Sequence, residues 1–120
     1  MSLEARLEAA TSAYRNLQQE ITNAVERRQK LDSQLSENEQ VQKEFDELEE
    51  DAQIYKLIGP SLVPQDKSEA TGNVKKRLEF IKGEIDRVEK VLKDLSTKQE
   101  TKKSEIIKLQ TEHQSKQEKA

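Results

Sequence analysis

Ala52-Gln-Ile-Tyr-Lys-Leu-Ile-Gly-Pro-Ser-Leu-Val-Pro-Gln65 interrupts two long, highly charged stretches near the middle of the 120-residue chain. Ile54, Lys56 and Ile58 alternate with Tyr55 and Leu57, a period of two that predicts a strand rather than a helix. Gly59-Pro60 supplies a turn dipeptide, and Ser61-Leu62-Val63 reads as a short return strand. Pro64 carries no N–H, so it ends that strand or sits at an edge. A hairpin this small is not stable alone in water, and its outer backbone groups are a template for strands of other chains. The stretch therefore reads as an assembly element carried by two helical arms.

Composition supports that layout. The chain is 38% charged, 32% hydrophobic and only 3% aromatic, too poor in large apolar groups for a compact core and too regular for disorder. Charge with regular apolar spacing predicts long helices paired along a narrow seam. The net charge of −3 mixes both signs along the length, so no basic field exists to attract nucleic acid. With no cysteine, disulfides, zinc-thiolate sites and thiol nucleophiles are excluded. Met1-Ser2 leads straight into charged sequence, and no apolar run approaches the roughly 20 residues that span a bilayer. A cytoplasmic chain with no membrane partner is expected.

In the first arm, read as helix over residues 3–51, Leu3, Leu7, Ala10, Tyr14, Leu17, Ile21 and Ala24 step by four and three, and the register continues through Arg28 to Leu31, Leu35 and Asn38. This is a heptad repeat. Two successive steps of three around Asn38, from Leu35 and on to Val41, shift the seam to Val41, Phe45 and Leu48, a stammer that turns the apolar face. These residues, where the helix nears the hairpin, either pack against the assembly core or mark irregularity at a helix end. The helix should stop near Glu50-Asp51, where acidic residues oppose the helix dipole and call for basic partners.

The second arm is read over residues 66–118. Asp66-Lys-Ser-Glu69 has capping-box spacing, while Gly72 weakens the first turns and suggests ordered helix only from about Asn73. Val74, Leu78, Ile81, Ile85, Val88, Leu92 and Leu95 then repeat regularly, with Gln99, Lys102, Ile106, Leu109 and His113 continuing the seam. Asp86 with Lys90 and Glu89 with Lys93 have the spacing for pairs on the exposed face. Folding back gives a mainly α architecture: a long antiparallel two-helix coiled coil, each arm about 70 Å long, joined by one short β-hairpin. It sets Lys75, Lys76 and Arg77 beside Asp46, Glu47 and Glu49. Small and polar seam residues make the outer third the looser part. There Leu3, Leu7, Ile106, Ile107 and Leu109 form a weak apolar surface that composition alone reads as ordinary fraying.

Nothing points to chemistry. His113 is the only histidine and lies among Gln, Ser and Lys. The carboxylates are helix-surface charge without a cleft to isolate a pair. Gly59-Pro60 is no phosphate loop, and Lys75-Lys76-Arg77 lacks interleaved aromatics. No catalytic, metal or cofactor site is expected.

The helix–hairpin–helix layout resembles the β-class subunits of prefoldin. The likeness is carried by Arg28-Gln-Lys-Leu-Asp-Ser-Gln-Leu-Ser-Glu-Asn38, by Ile54-Tyr-Lys-Leu-Ile-Gly-Pro-Ser-Leu-Val63 and by Lys76-Arg-Leu-Glu-Phe-Ile81. A single hairpin, where α-class subunits carry two, fits the β class. The resemblance implies a heterohexamer of two α-class and four β-class prefoldin subunits, whose hairpins form β-barrels. It also implies ATP-independent capture of unfolded client proteins such as actin and tubulin at the coiled-coil tips, and delivery to the group II chaperonin. Ile54, Tyr55, Leu57, Ile58, Leu62 and Val63 become subunit-assembly residues. Leu3, Leu7, Ile106, Ile107 and Leu109 become client contacts. A rival without the resemblance is a coiled-coil spacer or tether, which leaves the apolar hairpin unexplained. A helical arm of a tRNA-binding enzyme would need a basic face that this chain lacks.

Overall fold

The computed structural model describes residues 1–119. Helix α1 spans Leu3–Asp46, strands β1 and β2 span Ile54–Ile58 and Ser61–Gln65, and helix α2 spans Lys67–Lys119. Both helices are built from strong helix formers and both begin on a side-chain cap. The Ala5 N–H donates to Ser2 Oγ at 3.0 Å. The Glu69 N–H donates to Asp66 Oδ2 at 3.1 Å. Each such cap contributes about 1 kcal/mol.

Two helix ends differ from the sequence expectation. α1 stops at Asp46, not near Glu50-Asp51. Asp46, Glu47, Glu49, Glu50 and Asp51 are exposed, and their charge opposes the negative end of the helix dipole. The chain tightens instead: the Leu48 N–H reaches the Phe45 carbonyl at 3.3 Å and the Ala52 N–H the Glu49 carbonyl at 3.0 Å. Conversely α2 begins at Lys67 and runs through Gly72 rather than starting near Asn73. Burial of Ala70 and Val74 on either side of the glycine, with the Asp66 cap, outweighs a penalty of about 1 kcal/mol. The expected pairing of Lys75, Lys76 and Arg77 with Asp46, Glu47 and Glu49 is absent among the described residues. The basic group that meets this helix end is Lys67, whose Nζ donates to the Leu48 carbonyl at 3.3 Å.

The chain forms two compact units: Met1–Arg28 with Val88–Ala120, and Gln29–Arg87. In the first, antiparallel pairing is marked by cross-helix contacts whose positions rise in α1 as they fall in α2. Arg6 Nη2 lies 3.8 Å from Glu112 Oε2, Gln99 Nε2 donates to Gln18 Oε1 at 2.8 Å, and Arg28 Nη1 meets Glu89 Oε1 at 2.6 Å. Glu89 thus reaches across to a seam arginine rather than along its own helix to Lys93, and Asp86 and Lys90 form no ion pair among the described residues. A charged seam residue matched in this way favours one register over its slips.

In the second unit, Leu31, Ala70, Val74, Leu78, Ile81 and Ile85 are buried. Leu35, Asn38, Val41, Phe45 and Leu48 are half-buried, so the exposure pattern of α1 follows the stammer. Val41 and Phe45, with Ala70 and Val74, line a recess against the hairpin residues Ile54, Lys56 and Gln65. Val41 and Phe45 thus stand on the hairpin side of α1, while Leu48 does not line this recess.

Candidate functional site

The strands pair antiparallel in the register Ile54–Gln65, Tyr55–Pro64, Lys56–Val63, Leu57–Leu62 and Ile58–Ser61. Gly59 and Pro60 alone close the loop. Gly59 has φ +58°, and proline holds φ near −65°, the combination of a type II′ turn, whose twist matches that of the strands. An L side chain at Gly59 meets no neighbouring atom, yet the left-handed backbone costs it about 1–2 kcal/mol. Gly59→Ala should therefore speed amide exchange across the hairpin by roughly five- to thirtyfold, with the helices unaffected.

Paired residues share a face of the hairpin. One face carries Ile54, Lys56, Ile58, Ser61, Val63 and Gln65, and its Ile54 end is anchored on the helices, with Ile54 only 9% exposed. The other face carries Tyr55, Leu57, Leu62 and Pro64, all four exposed. Leu57 and Leu62 are 68% and 67% exposed, and Tyr55, Ile58 and Val63 are exposed as well. Of the six residues singled out in this stretch, five are open and one is the anchor. An apolar strand pair with free edges and a bare face is a surface that gains by burial against other strands.

A two-residue loop makes Ile58–Ser61 a hydrogen-bonded pair, so by alternation Tyr55–Pro64 is a non-hydrogen-bonded one. The strand continues one residue past Pro64 to Gln65. This is possible because the proline nitrogen faces the open edge of β2, where no ladder bond is lost.

The second candidate set lies where the two chain ends meet. Leu3, Ala10 and Leu109 form a buried cluster with Leu7 and Ile106 packed against it. Ile107 points away and is 54% exposed. Four of the five sequence-assigned tip residues thus cover one another, and one stands free. The cluster is small, and next to it the polar stretch of the seam leaves an apolar-lined groove of about 440 Å³ between Ala13 and Leu17 on α1 and Thr97 and Thr101 on α2. Sequence spacing alone does not reveal this groove, because Ala13, Thr97 and Thr101, which line it beside the seam residues Leu17 and Lys102, lie outside the heptad positions. No helix is long and apolar enough to cross a membrane among the described residues.

Comparison with known proteins places these features in a family. A family model described as prefoldin subunit matches residues 8–118. Prefoldin subunit 6 of Saccharomyces cerevisiae is 51% identical over 96 residues, covering 80% of this chain and 84% of that protein. Prefoldin subunit 6 of Arabidopsis thaliana is 46% identical over 108 residues, with 90% and 84% covered. The crystal structure of the prefoldin beta subunit from Thermococcus strain KS-1 matches with a TM-score of 0.79 at 25% identity, over 84% of this chain and 89% of that one.

Proposed function

The chain belongs to the prefoldin subunit family, and from this we propose that it is a β-class subunit of a heterohexameric, ATP-independent co-chaperone. The hexamer holds unfolded proteins, such as actin and tubulin, and passes them to the group II chaperonin in the cytoplasm. The observation that carries this reading is the bare apolar face of the hairpin, Tyr55, Leu57, Leu62 and Pro64. A spacer that only sets distance has no use for it. Joined edge to edge with hairpins of α-class and β-class subunits, the strands bury that face inside a β-barrel and satisfy their outer N–H and C=O groups. Burial of each leucine contributes about 1.5–3 kcal/mol.

The tip is the working end. Its cluster holds three buried residues, one of them only an alanine, so opening it exposes little surface and costs little. Ile107 offers a first contact, and Leu3, Leu7, Ile106 and Leu109 follow when the helix ends part. Each tip is a weak site for an apolar segment, and several tips fixed around one cavity hold a non-native chain by avidity. Release needs no nucleotide and no catalytic group, because weak contacts yield to a competing chaperone.

Native mass of the chain alone and after mixing with α-class and other β-class subunits tests the proposal. A defined hexamer is the expected result. A chain that stays monomeric or dimeric with every candidate partner would return the reading to a spacer.

A further inference from the structure

Phe80 is one of two phenylalanines in the chain, and it is 65% exposed. It stands on α2 one residue before the buried seam residue Ile81, inside the same compact unit as the hairpin. The α1 residues beside it are polar because the heptad slips there. Asn38 occupies the seam position and turns its amide back onto its own helix, Nδ2 donating to the Gln34 carbonyl at 2.8 Å. The result is a groove of about 410 Å³ lined by Gln34, Asn38, Lys76, Arg77, Phe80 and Ile81. No apolar side chain of α1 lines it.

The groove also has a sign. Lys75, Lys76 and Arg77 are exposed, and none has an ion-pair partner among the described residues. In a chain of net charge −3 three adjacent unmatched cations beside a bare aromatic ring are a local exception. Cations spread along a solvated face are normally interspersed with acids; here the acids that the fold brings toward this end, Asp46 to Asp51, stay separate and exposed as well.

We propose that the Phe80 groove is a second subunit contact, taking an acidic helical segment of the neighbouring subunit. An apolar side chain of that segment lies on Phe80, and its carboxylates face Lys76 and Arg77. This rests on the assembly reading above and extends it. Charge complementarity selects the occupant: an unfolded client has no fixed pattern of acids to match the two cations. Location agrees, because a partner joined through the hairpin is delivered to the same compact unit. The division of labour is also physical. Strand pairing sets the neighbour's order, and a second contact off the sheet fixes the angle at which its helices leave.

The test uses the co-expressed hexamer with Phe80→Ser and, separately, with Lys76→Glu and Arg77→Glu together. These side chains bury little within the chain, so helix content should stay at the parent value. The concentration at which the hexamer dissociates should rise about ten- to a hundredfold in either variant. The parent should weaken as salt rises towards about 0.5 M, and the charge-reversed variant should lose that dependence. Unchanged dissociation and salt profile in both variants would overturn the proposal. So would loss of client holding by an intact hexamer, or binding of a single-stranded oligonucleotide that the charge reversal abolishes. A parallel hairpin variant, Leu57→Asp with Leu62→Asp, separates the two levels. If it blocks assembly while the groove variants are silent, only the groove inference fails; if it leaves assembly intact, the hairpin reading fails as well.

Discussion

Leu57→Asp combined with Leu62→Asp should abolish recovery of the hexamer while leaving the far-ultraviolet helix signal of the chain unchanged. The two residues face each other across the hairpin, and both are exposed. Within the isolated chain they contribute almost nothing, so the helices have no reason to notice the change. In an assembly both would be buried. Removing two leucine side chains from an interface costs about 3–6 kcal/mol, or between two and four orders of magnitude in affinity. Two carboxylates placed directly opposite one another add repulsion and desolvation to that figure. Ile54→Asp should behave differently. That residue is the anchor of the hairpin on the helices, so its loss should lower the stability of the free chain too. Native mass and thermal melting of the two variants side by side would separate interface from support. Equal effects on both would mean that the faces have been assigned the wrong way round.

At the tip, replacing Leu3, Leu7, Ile106, Ile107 and Leu109 together with serine should leave the native mass of the hexamer intact and weaken client holding. A patch contributing about 1–2 kcal/mol corresponds to a factor of roughly five to thirty. The concentration needed to suppress aggregation of a denatured client should rise by that factor at most, because the remaining tips still act. Helix signal should fall, confined to the first and last few turns, since Leu3 and Leu109 form the local core. The single change Ile107→Ser is the sharper arm. Ile107 is exposed and lies outside the tip cluster, so any loss of holding there reports contact and not unfolding. Full holding by both variants would remove this subunit's tip from the client surface.

Much of this architecture is legible in the sequence because heptad periodicity is a local signal. Every seam position from Leu3 to Leu48 is buried or half-buried, and the slip at Asn38 appears where the spacing places it. The hairpin was equally plain, since Gly59-Pro60 between two short apolar runs leaves few other folds. What spacing does not contain is the reach of long side chains across helices. Glu89 has a lysine at the right distance on its own helix, yet it meets Arg28. The basic run Lys75 to Arg77 has acids near it in the folded-back topology, yet the early end of α1 leaves them apart. Phe80 was visible only as a letter within a motif. Its exposure depends on what α1 fails to place opposite it, which is a property of two segments and not of one. At the tip the seam spacing sets Leu3 and Leu7 against Ile106 and Leu109, and these four pack together.

The placement of Pro64 gives the hairpin a handedness of its own. A strand laid against the outer side of β1 meets the free N–H groups of Tyr55 and Leu57, with their carbonyls between. A strand laid against β2 meets the N–H of Leu62 and then finds no donor at Pro64. The two flanks therefore offer different bonding patterns, and a neighbour suited to one is mismatched on the other. Pairing of two copies through their β2 flanks is the poorest arrangement of all. A closed ring assembled from such pieces has a direction of travel, and each member can tell its left-hand neighbour from its right.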